Sequence, residues 1–490
     1  MLLNGFTRRR FAKLAAWTAA LGMSSHSTES GAAELGAGRP DATSRFPAGF
    51  LWGTATSAYQ IEGAVNADGR GPSIWDRFVR LPGKIADHSN ADVADDHYHR
   101  YKQDIQLMKA LGTKAYRFSI AWPRVFPEGS GAPNPKGLDF YDRLVDELLR
   151  NGITPFATLY HWDLPLSLQD RFGGWVSPDT SKAFGGYAAY VAERLTDRVS
   201  HIFTINECSR LVALGYGAGI DAPGLKLSVS QLNQVRHNVA LGHGLAVQAI
   251  RAHGKAGTKV GPAENVVTCI PAIATPENVR AAETATREVN AGYITVMLEG
   301  RYTEAFLAQA GKDAPKYMAE DLAIISSPID FVGLNVYKPD HYVVAGDDEH
   351  GYSLVPFPAS FPHMYSSWLR VGPEAMYWAP RHVAKLWGVK SIYITENGTS
   401  AADNATADGN IYDVDRIMYL RAYLTQLQRA SSEGIPVSGY FLWSLMDNFE
   451  WVDGFQTRFG VYRVDFATQQ RIPKLSASFY RETIRQNAPV

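Results

Sequence analysis

Two glutamates are placed for acid–base work. The run HIFTIN ends against Glu207 and the run IYIT against Glu396. Both runs have the β-branched and aromatic bias of a buried strand, so each carboxyl is carried by a rigid element and is partly desolvated. Hydrolysis of a glycosidic bond needs such a pair. One carboxyl gives a proton to the leaving oxygen while the other attacks or stabilises the anomeric carbon, and a separation near ~5 Å gives retention through a covalent intermediate. A cation beside one carboxyl, for which Arg117 is the candidate, holds it ionised as nucleophile. The like charge beside the other raises its pKa, so that it keeps its proton and serves as acid.

A scaffold must hold these groups, and the chain spells one out. Short β-branched and aromatic runs at 50–58, 115–122, 154–162, 201–206, 258–262, 331–337, 391–395 and 437–444 alternate with amphipathic stretches. The latter fall at 92–111, 138–151, 181–198, 229–253, 276–298, 374–387, 412–433 and 474–487. Repeated β-α units of this kind predict an α/β protein built as a single (β/α)8 barrel, with its active site on the loops after the strands. The runs end in Gln60, Arg117, His161, Asn206 with Glu207, Asn335, Glu396 and Glu450, flanked by Trp162, Trp443 and Trp451. Indole faces cover the C–H patches of a pyranose, and amides and carboxylates address its hydroxyls. The expected partner is therefore a small carbohydrate or glycoside.

Composition removes other classes. The 490 residues carry 48 Lys plus Arg against 49 Asp plus Glu, without the basic excess that phosphate-backbone binding needs, so no nucleic-acid partner is expected. Two cysteines, Cys208 and Cys269, are too few for a disulfide scaffold or a thiolate metal site. At the N-terminus, Thr7-Arg8-Arg9-Arg10-Phe11-Ala12-Lys13 precedes the apolar run LAAWTAALGM. That run is roughly half the length of a membrane-spanning helix. This pattern predicts a twin-arginine export signal over 1–33, cleaved near Gly31-Ala32-Ala33, and no membrane span. The expected remainder is a flexible mature N-terminus over 34–45 and one catalytic domain over 46–490, in a protein that works in a periplasm or outside the cell.

Eight ordered strings carry a wider likeness: FPAGFLWGTATSAYQIEG, TLYHWDLP, TINE, GYGAGIDAPG, HNVALGHGLAVQA, GLNVY, YITENG and FLWSLMDNFEWVDGFQTRFGVYRVDF. Together they resemble glycoside hydrolase family 1, the β-glucosidase family, over nearly the whole chain from Phe46 to Arg481. The resemblance implies that Glu207 is the acid/base and Glu396 the nucleophile of a retaining, exo-acting β-glycosidase that needs no cofactor or metal. It also implies that Gln60, His161, Asn206, Glu450 and Trp451 bind hydroxyls of the nonreducing sugar, Asn206 the 2-hydroxyl, with Trp443 stacked under the ring. Arg117, Asn335 and Tyr337 are implied around the nucleophile, with Tyr337 donating a hydrogen bond to it. Members acting on 6-phosphorylated sugars replace the Glu-Trp pair with small and basic residues and carry a Tyr after the Lys/Arg. Here Glu450-Trp451 is intact and Phe459 follows Arg458, which points to an unphosphorylated glycone, glucose first. A transglycosylase with the same residues, or a pseudoenzyme that only binds sugar, are the rival readings.

Departures from the family pattern are local. T-x-N-E-P reads T-x-N-E-C here, so Cys208 frees one backbone N–H and one φ angle beside the acid/base. Cys208 is expected to pack as a small apolar residue. The segment GPEAMYWAPRHV places Trp378 two residues before Pro380 instead of four, on the side that shapes the leaving-group site. Asp95-Asp96-His97-Tyr98-His99 looks metal-like but reads as the solvated start of a helix. Trp17, Trp175 and Trp387 are expected in the core.

Overall fold

The computed structural model describes residues 45–347 and 349–490. The export signal expected over 1–33 lies outside the described residues, as do 34–44. Eight strands, β1 Leu51–Ala55, β2 Ala115–Ser119, β3 Thr154–Tyr160, β4 His201–Asn206, β5 Lys259–Glu264, β6 Val332–Asn335, β7 Ile392–Asn397 and β8 Val437–Trp443, close into a barrel in which β1 lies between β2 and β8. Every pairing is parallel. The strands are buried almost throughout, as expected when both faces of a parallel sheet are covered.

Eight main helices pack outside: α1 His97–Leu111, α2 Pro135–Arg150, α3 Pro178–Leu195, α4 Val229–His253, α5 Pro276–Val289, α6 Ala375–Trp387, α7 Val414–Ser432 and α8 Leu475–Gln486. Local chemistry sets their ends. Proline occupies the first turn of α2, α3 and α5, where a missing N–H costs nothing. Ser228 and Gln231 form a reciprocal capping box at the start of α4. On α2, Leu138, Tyr141, Leu144, Val145 and Leu148 recur at helical spacing and are buried.

The barrel is packed, not hollow. Rings of Phe156, Phe203, Phe331, Tyr393 and Phe441 fill its floor with centroids 5.0–6.2 Å apart. Gly53 makes room for them, since a Cβ there would lie 2.5 Å from the Phe441 ring. His201, at the start of β4, stacks on Phe156 in the same floor with ring centroids 4.4 Å apart.

Several boundaries differ from expectation. The runs at 50–58 and 115–122 stop as strand at Ala55 and Ser119, and a helical turn follows each, Ala58–Ile61 and Trp122–Val125. The first turn forms because Ser119 Oγ accepts the Ala58 N–H at 2.7 Å, and it carries Gln60 inward. The helix expected over 276–298 ends at Val289. A wide turn follows at Ala291–Thr295, with Tyr293 outside helical φ/ψ. The helix expected from 92 begins at His97, and its start is not a solvated face. Asp95 and His97 are buried, His97 Nδ1 lies 2.8 Å from Asp104 Oδ2, and Arg471 holds Asp104 at 2.9 Å. Among the described residues no cluster of His, Cys, Asp and Glu could hold a metal ion. None of the described helices is long and apolar enough to cross a membrane. Trp175 is fully buried as expected, and Trp387 is half-buried with its Nε1–H on Glu299. Trp17 lies outside the described residues.

Candidate active site

The strand ends that carry the two glutamates are irregular. β7 slips register between Ile394 and Glu396 against β6, which sets Glu396 opposite Asn335, and β4 slips against β5 between Phe203 and Asn206. Such bulges re-aim side chains at a barrel rim. Glu396 is consequently gripped from two sides. Arg117 Nη1 donates to its Oε1 at 2.6 Å and Tyr337 donates its hydroxyl to Oε2 at 2.7 Å. Both contacts stabilise the anion that a nucleophile must be. Burial pushes the Tyr337 phenol well above its usual range, so it stays a donor.

Glu207 has a different environment in the same pocket. Its Oε1 accepts from Asn335 Nδ2 at 2.8 Å, and no cation forms an ion pair with it among the described residues. Burial, then the charge of Glu396, pushes its carboxyl up to about 7, with Arg210 and the Asn335 hydrogen bond opposing. A carboxyl that keeps its proton near neutrality faces one that is held charged, which is the division of labour that a proton donor and a nucleophile need.

The wall that the sequence expects to face the sugar is cross-linked by the protein itself. Asn206 Oδ1 accepts from Arg117 Nη2 at 2.6 Å and from Asn335 Nδ2 at 3.1 Å. Those two donors fix its amide, so Asn206 Nδ2 donates to His161 Nε2 at 3.1 Å. Burial, reinforced by Arg117, drops the His161 pKa well below its usual value. The ring is therefore neutral, Nε2 is the acceptor and Nδ1 carries the hydrogen. That buried Nδ1–H has no partner among the described residues, so it is open to one from outside. Gln60 accepts from Ser57 Oγ at 2.6 Å and donates to Asn448 at 3.0 Å and to Glu450 at 3.3 Å. Trp162 donates its Nε1–H to the Asn206 carbonyl at 2.9 Å. The Trp443 and Trp451 rings lie 5.8 and 5.9 Å from His161. Glu207, Trp162 and Trp451 all have left-handed backbone conformations, with φ of 47°, 79° and 49°. Bulky residues seldom adopt these, and such positions cluster at binding sites.

His161, Trp162, Asn206, Glu207, Tyr337, Glu396, Trp443, Glu450, Trp451 and Phe459 thus line one pocket. Arg117 and Asn335 brace its carboxyls from below and Gln60 braces Glu450. The structure brings every site residue named from the sequence to this one mouth.

The chain is similar to known enzymes. Residues 42–489 match the family model described as Glycosyl hydrolase family 1. The chain belongs to that family. Beta-glucosidase A of Acetivibrio thermocellus is 44% identical over 449 residues, spanning 90% of this chain and 98% of that one. The 1,4-beta-D-glucan glucohydrolase of Thermotoga neapolitana is 41% identical over 444 residues, 90% of this chain and 99% of that one. The family 1 β-glucosidase from Thermotoga maritima superposes with a TM-score of 0.82 at 40% identity, covering 91% of this chain and 99% of its own. That enzyme has been solved with glucoimidazole and with deoxynojirimycin.

The mouth of this family 1 hydrolase also holds Glu264, Trp368 and Arg210, which the sequence did not single out, and it shows what replaces the family proline. Cys208 opens the helical turn Cys208–Arg210, where an N–H has no intrahelical partner and proline is at home. With Cys in that place, the freed N–H donates at 2.7 Å to Oε1 of Glu264, a buried carboxyl at the end of β5. β5 was expected to stop at 262 and runs two residues further, which is what brings Glu264 to the mouth. Burial pushes Glu264 up to about 7 and the Cys208 thiol well above its usual range, so the thiol is an inert, protonated packing group. Trp378 is buried within α6 and stacks on His382, away from the pocket lining. A further indole that does line the pocket is Trp368, five residues before Pro373. A search for Trp ahead of Pro with one extra residue between them would have found it. Arg210, three residues after Glu207, lines the pocket as well.

Proposed function

We propose that the protein is a retaining, exo-acting β-glucosidase that cleaves aryl β-glucosides or short β-linked oligosaccharides by double displacement. Glu396 attacks the anomeric carbon as Glu207 protonates the leaving oxygen, giving a covalent glucosyl-enzyme. Glu207, now ionised, takes a proton from water, which displaces Glu396 and releases glucose with its β configuration. One observation carries the reading: in a single pocket Arg117 and Tyr337 grip Glu396 while burial and that same charge push Glu207 up to about 7. The β-glucosidase names of the relatives, and the sugar-like inhibitors in a solved neighbour, support glucose as the glycone.

Two refinements belong to the reading. Gln60, His161, Asn206, Glu450 and Trp451 bind glycone hydroxyls and Trp443 lies under the ring. Burial pushes Glu450 up to about 8, so its repulsion of a 6-phosphate is expressed only above that pH, and below it the wall offers a neutral carboxyl. The protein is exported through the twin-arginine route, which Arg8→Lys with Arg9→Lys should block, leaving activity in the cytoplasmic fraction.

A proton NMR time course with an aryl β-glucoside tests the chemistry. β-Glucose should appear before mutarotation. First appearance of α-glucose overturns the double displacement, and glucose binding without turnover leaves a sugar-binding protein.

A further inference from the structure

Arg210 is a half-buried charge without an ion-pair partner among the described residues. Arg70, Arg117, Arg124, Arg416 and Arg471, all deeply buried, each hold a carboxylate at 2.6–3.0 Å. Arg210 forms no hydrogen bond or ion pair with any described residue, and its Nε is buried and unsatisfied. Its guanidinium lies between two indoles, 5.9 Å from the Trp162 ring and 5.4 Å from that of Trp368. An arginine cannot shed its proton, and a half-buried cation that lines a pocket with no counter-charge in contact invites an anion from outside.

Its location says which part of a substrate would bring that anion. Arg210, Tyr337 and Trp368 line both the pocket around Glu207 and Glu396 and an adjoining one, whose other walls include Asn265, Thr268, Lys338 and Asp340. The acid/base faces the leaving oxygen, and Arg210 follows it by one helical turn, so the adjoining pocket extends the leaving-group side. Its walls are aromatic and amphipathic. Lys338 is already engaged by Asp340 at 2.5 Å, which leaves Arg210 as the cation on offer there.

We propose that Arg210 receives a carboxylate carried by the leaving group, so that the favoured substrates are β-glucosides of aromatic carboxylic acids. The proposal rests on the β-glucosidase reading. The charged and titratable groups facing Arg210 are Glu207, Asp221, Glu450 and the Tyr337 phenol, none in contact with it. Burial pushes Glu450 up to about 8, so it is largely neutral near pH 7, and Asp221, pushed up to about 6, is charged there but makes no ion pair with Arg210. An unpaired guanidinium also favours the ionised form of Glu207, against its task as acid. A carboxylate bound to Arg210 cancels that influence, and an anionic leaving group thereby helps to keep its own proton donor protonated.

The test uses a matched pair, 4-carboxyphenyl and 4-carbamoylphenyl β-glucoside, which differ in charge but hardly in size. The full-length enzyme should favour the carboxylate by roughly tenfold or more in kcat/KM. In Arg210→Met, and to a lesser degree in Arg210→Lys, that preference should collapse towards unity. The ratio of the two substrates is the readout, so a general loss of activity cancels. No preference in the unaltered enzyme, or a preference that survives Arg210→Met, overturns the proposal, and the first needs no variant to fold. Faster turnover of 4-nitrophenyl β-glucoside 6-phosphate than of its unphosphorylated parent also overturns it, since the anion would then sit on the glycone. If neither member of the pair nor 4-nitrophenyl β-glucoside is turned over, it is the β-glucosidase reading that has failed.

Discussion

The two ends of the pocket are built on opposite plans. At the glycone end, Asn206 is locked by Arg117, Asn335 and His161, and Glu450 is tied through Gln60 to Ser57 and Asn448. At the end proposed for the leaving group a guanidinium hangs between two indoles with no ion-pair partner among the described residues, and the turn that follows Glu207 is pinned by a carboxyl standing in for a missing proline. The glycone wall is over-determined by its own contacts and therefore fixed in geometry, as recognition of one ring and its hydroxyls requires. The other end leaves a contact for the ligand to complete.

That contrast can be tested by changes graded from severe to slight. Glu396→Gly erases it, because every glucoside should lose turnover by roughly a million-fold whatever its leaving group. Azide should partly restore the reaction and yield the α-glucosyl azide, measurable by product analysis. Glu207→Ala separates the ends instead. Poor leaving groups should lose about 10^2 to 10^4-fold in kcat/KM, whereas a dinitrophenyl glucoside should lose far less in the glycosylation step. The same residue sets the pH profile. Its acid form is needed and its carboxyl is pushed up to about 7, so kcat/KM of the unaltered enzyme should fall as pH rises through that value. In Glu207→Ala this basic limb should vanish.

Glu450→Gln should cost roughly ten- to a hundredfold in kcat/KM, because contacts remote from the broken bond are used in the transition state. The loss should be equal for all leaving groups. A change confined to leaving-group preference would assign Glu450 to the wrong end. The slightest effect concerns the substitute for proline. Cys208→Pro strands the Glu264 carboxyl, and Glu264→Leu strands the Cys208 N–H. Denaturant unfolding should find the double variant more stable than the sum of the two single changes predicts, by about 1–3 kcal/mol.

Residues of the glycone end were readable from sequence because strands carry them. A run of β-branched and aromatic residues announces a strand, and the residues at its C-terminal end must face the mouth of a barrel. His161, Asn206, Glu207 and Glu396 could therefore be placed without coordinates. The leaving-group end depends on where elements stop. Glu264 reaches the mouth only because β5 runs two residues beyond its apolar pattern. Arg210 faces the pocket through the turn Cys208–Arg210 and the wide helical segment Leu211–Ala218 that continues it. Trp368 comes from a loop outside any helix or strand, whereas Trp378, the indole that the sequence compared with the family's pattern, stands within a helix. Asp95 and His97 misled in the other direction, since polarity ahead of a helix signals solvent unless a distant arginine, here Arg471, is folded against it.

The left-handed backbone at Trp162, Glu207 and Trp451 has a kinetic corollary. Each such residue costs on the order of 1–3 kcal/mol, and the rest of the barrel offsets it before any ligand arrives. A glucose-sized inhibitor has no wall to reshape on entry, so its capture should be limited by encounter and by the shedding of water, with no slow closing phase in stopped-flow traces.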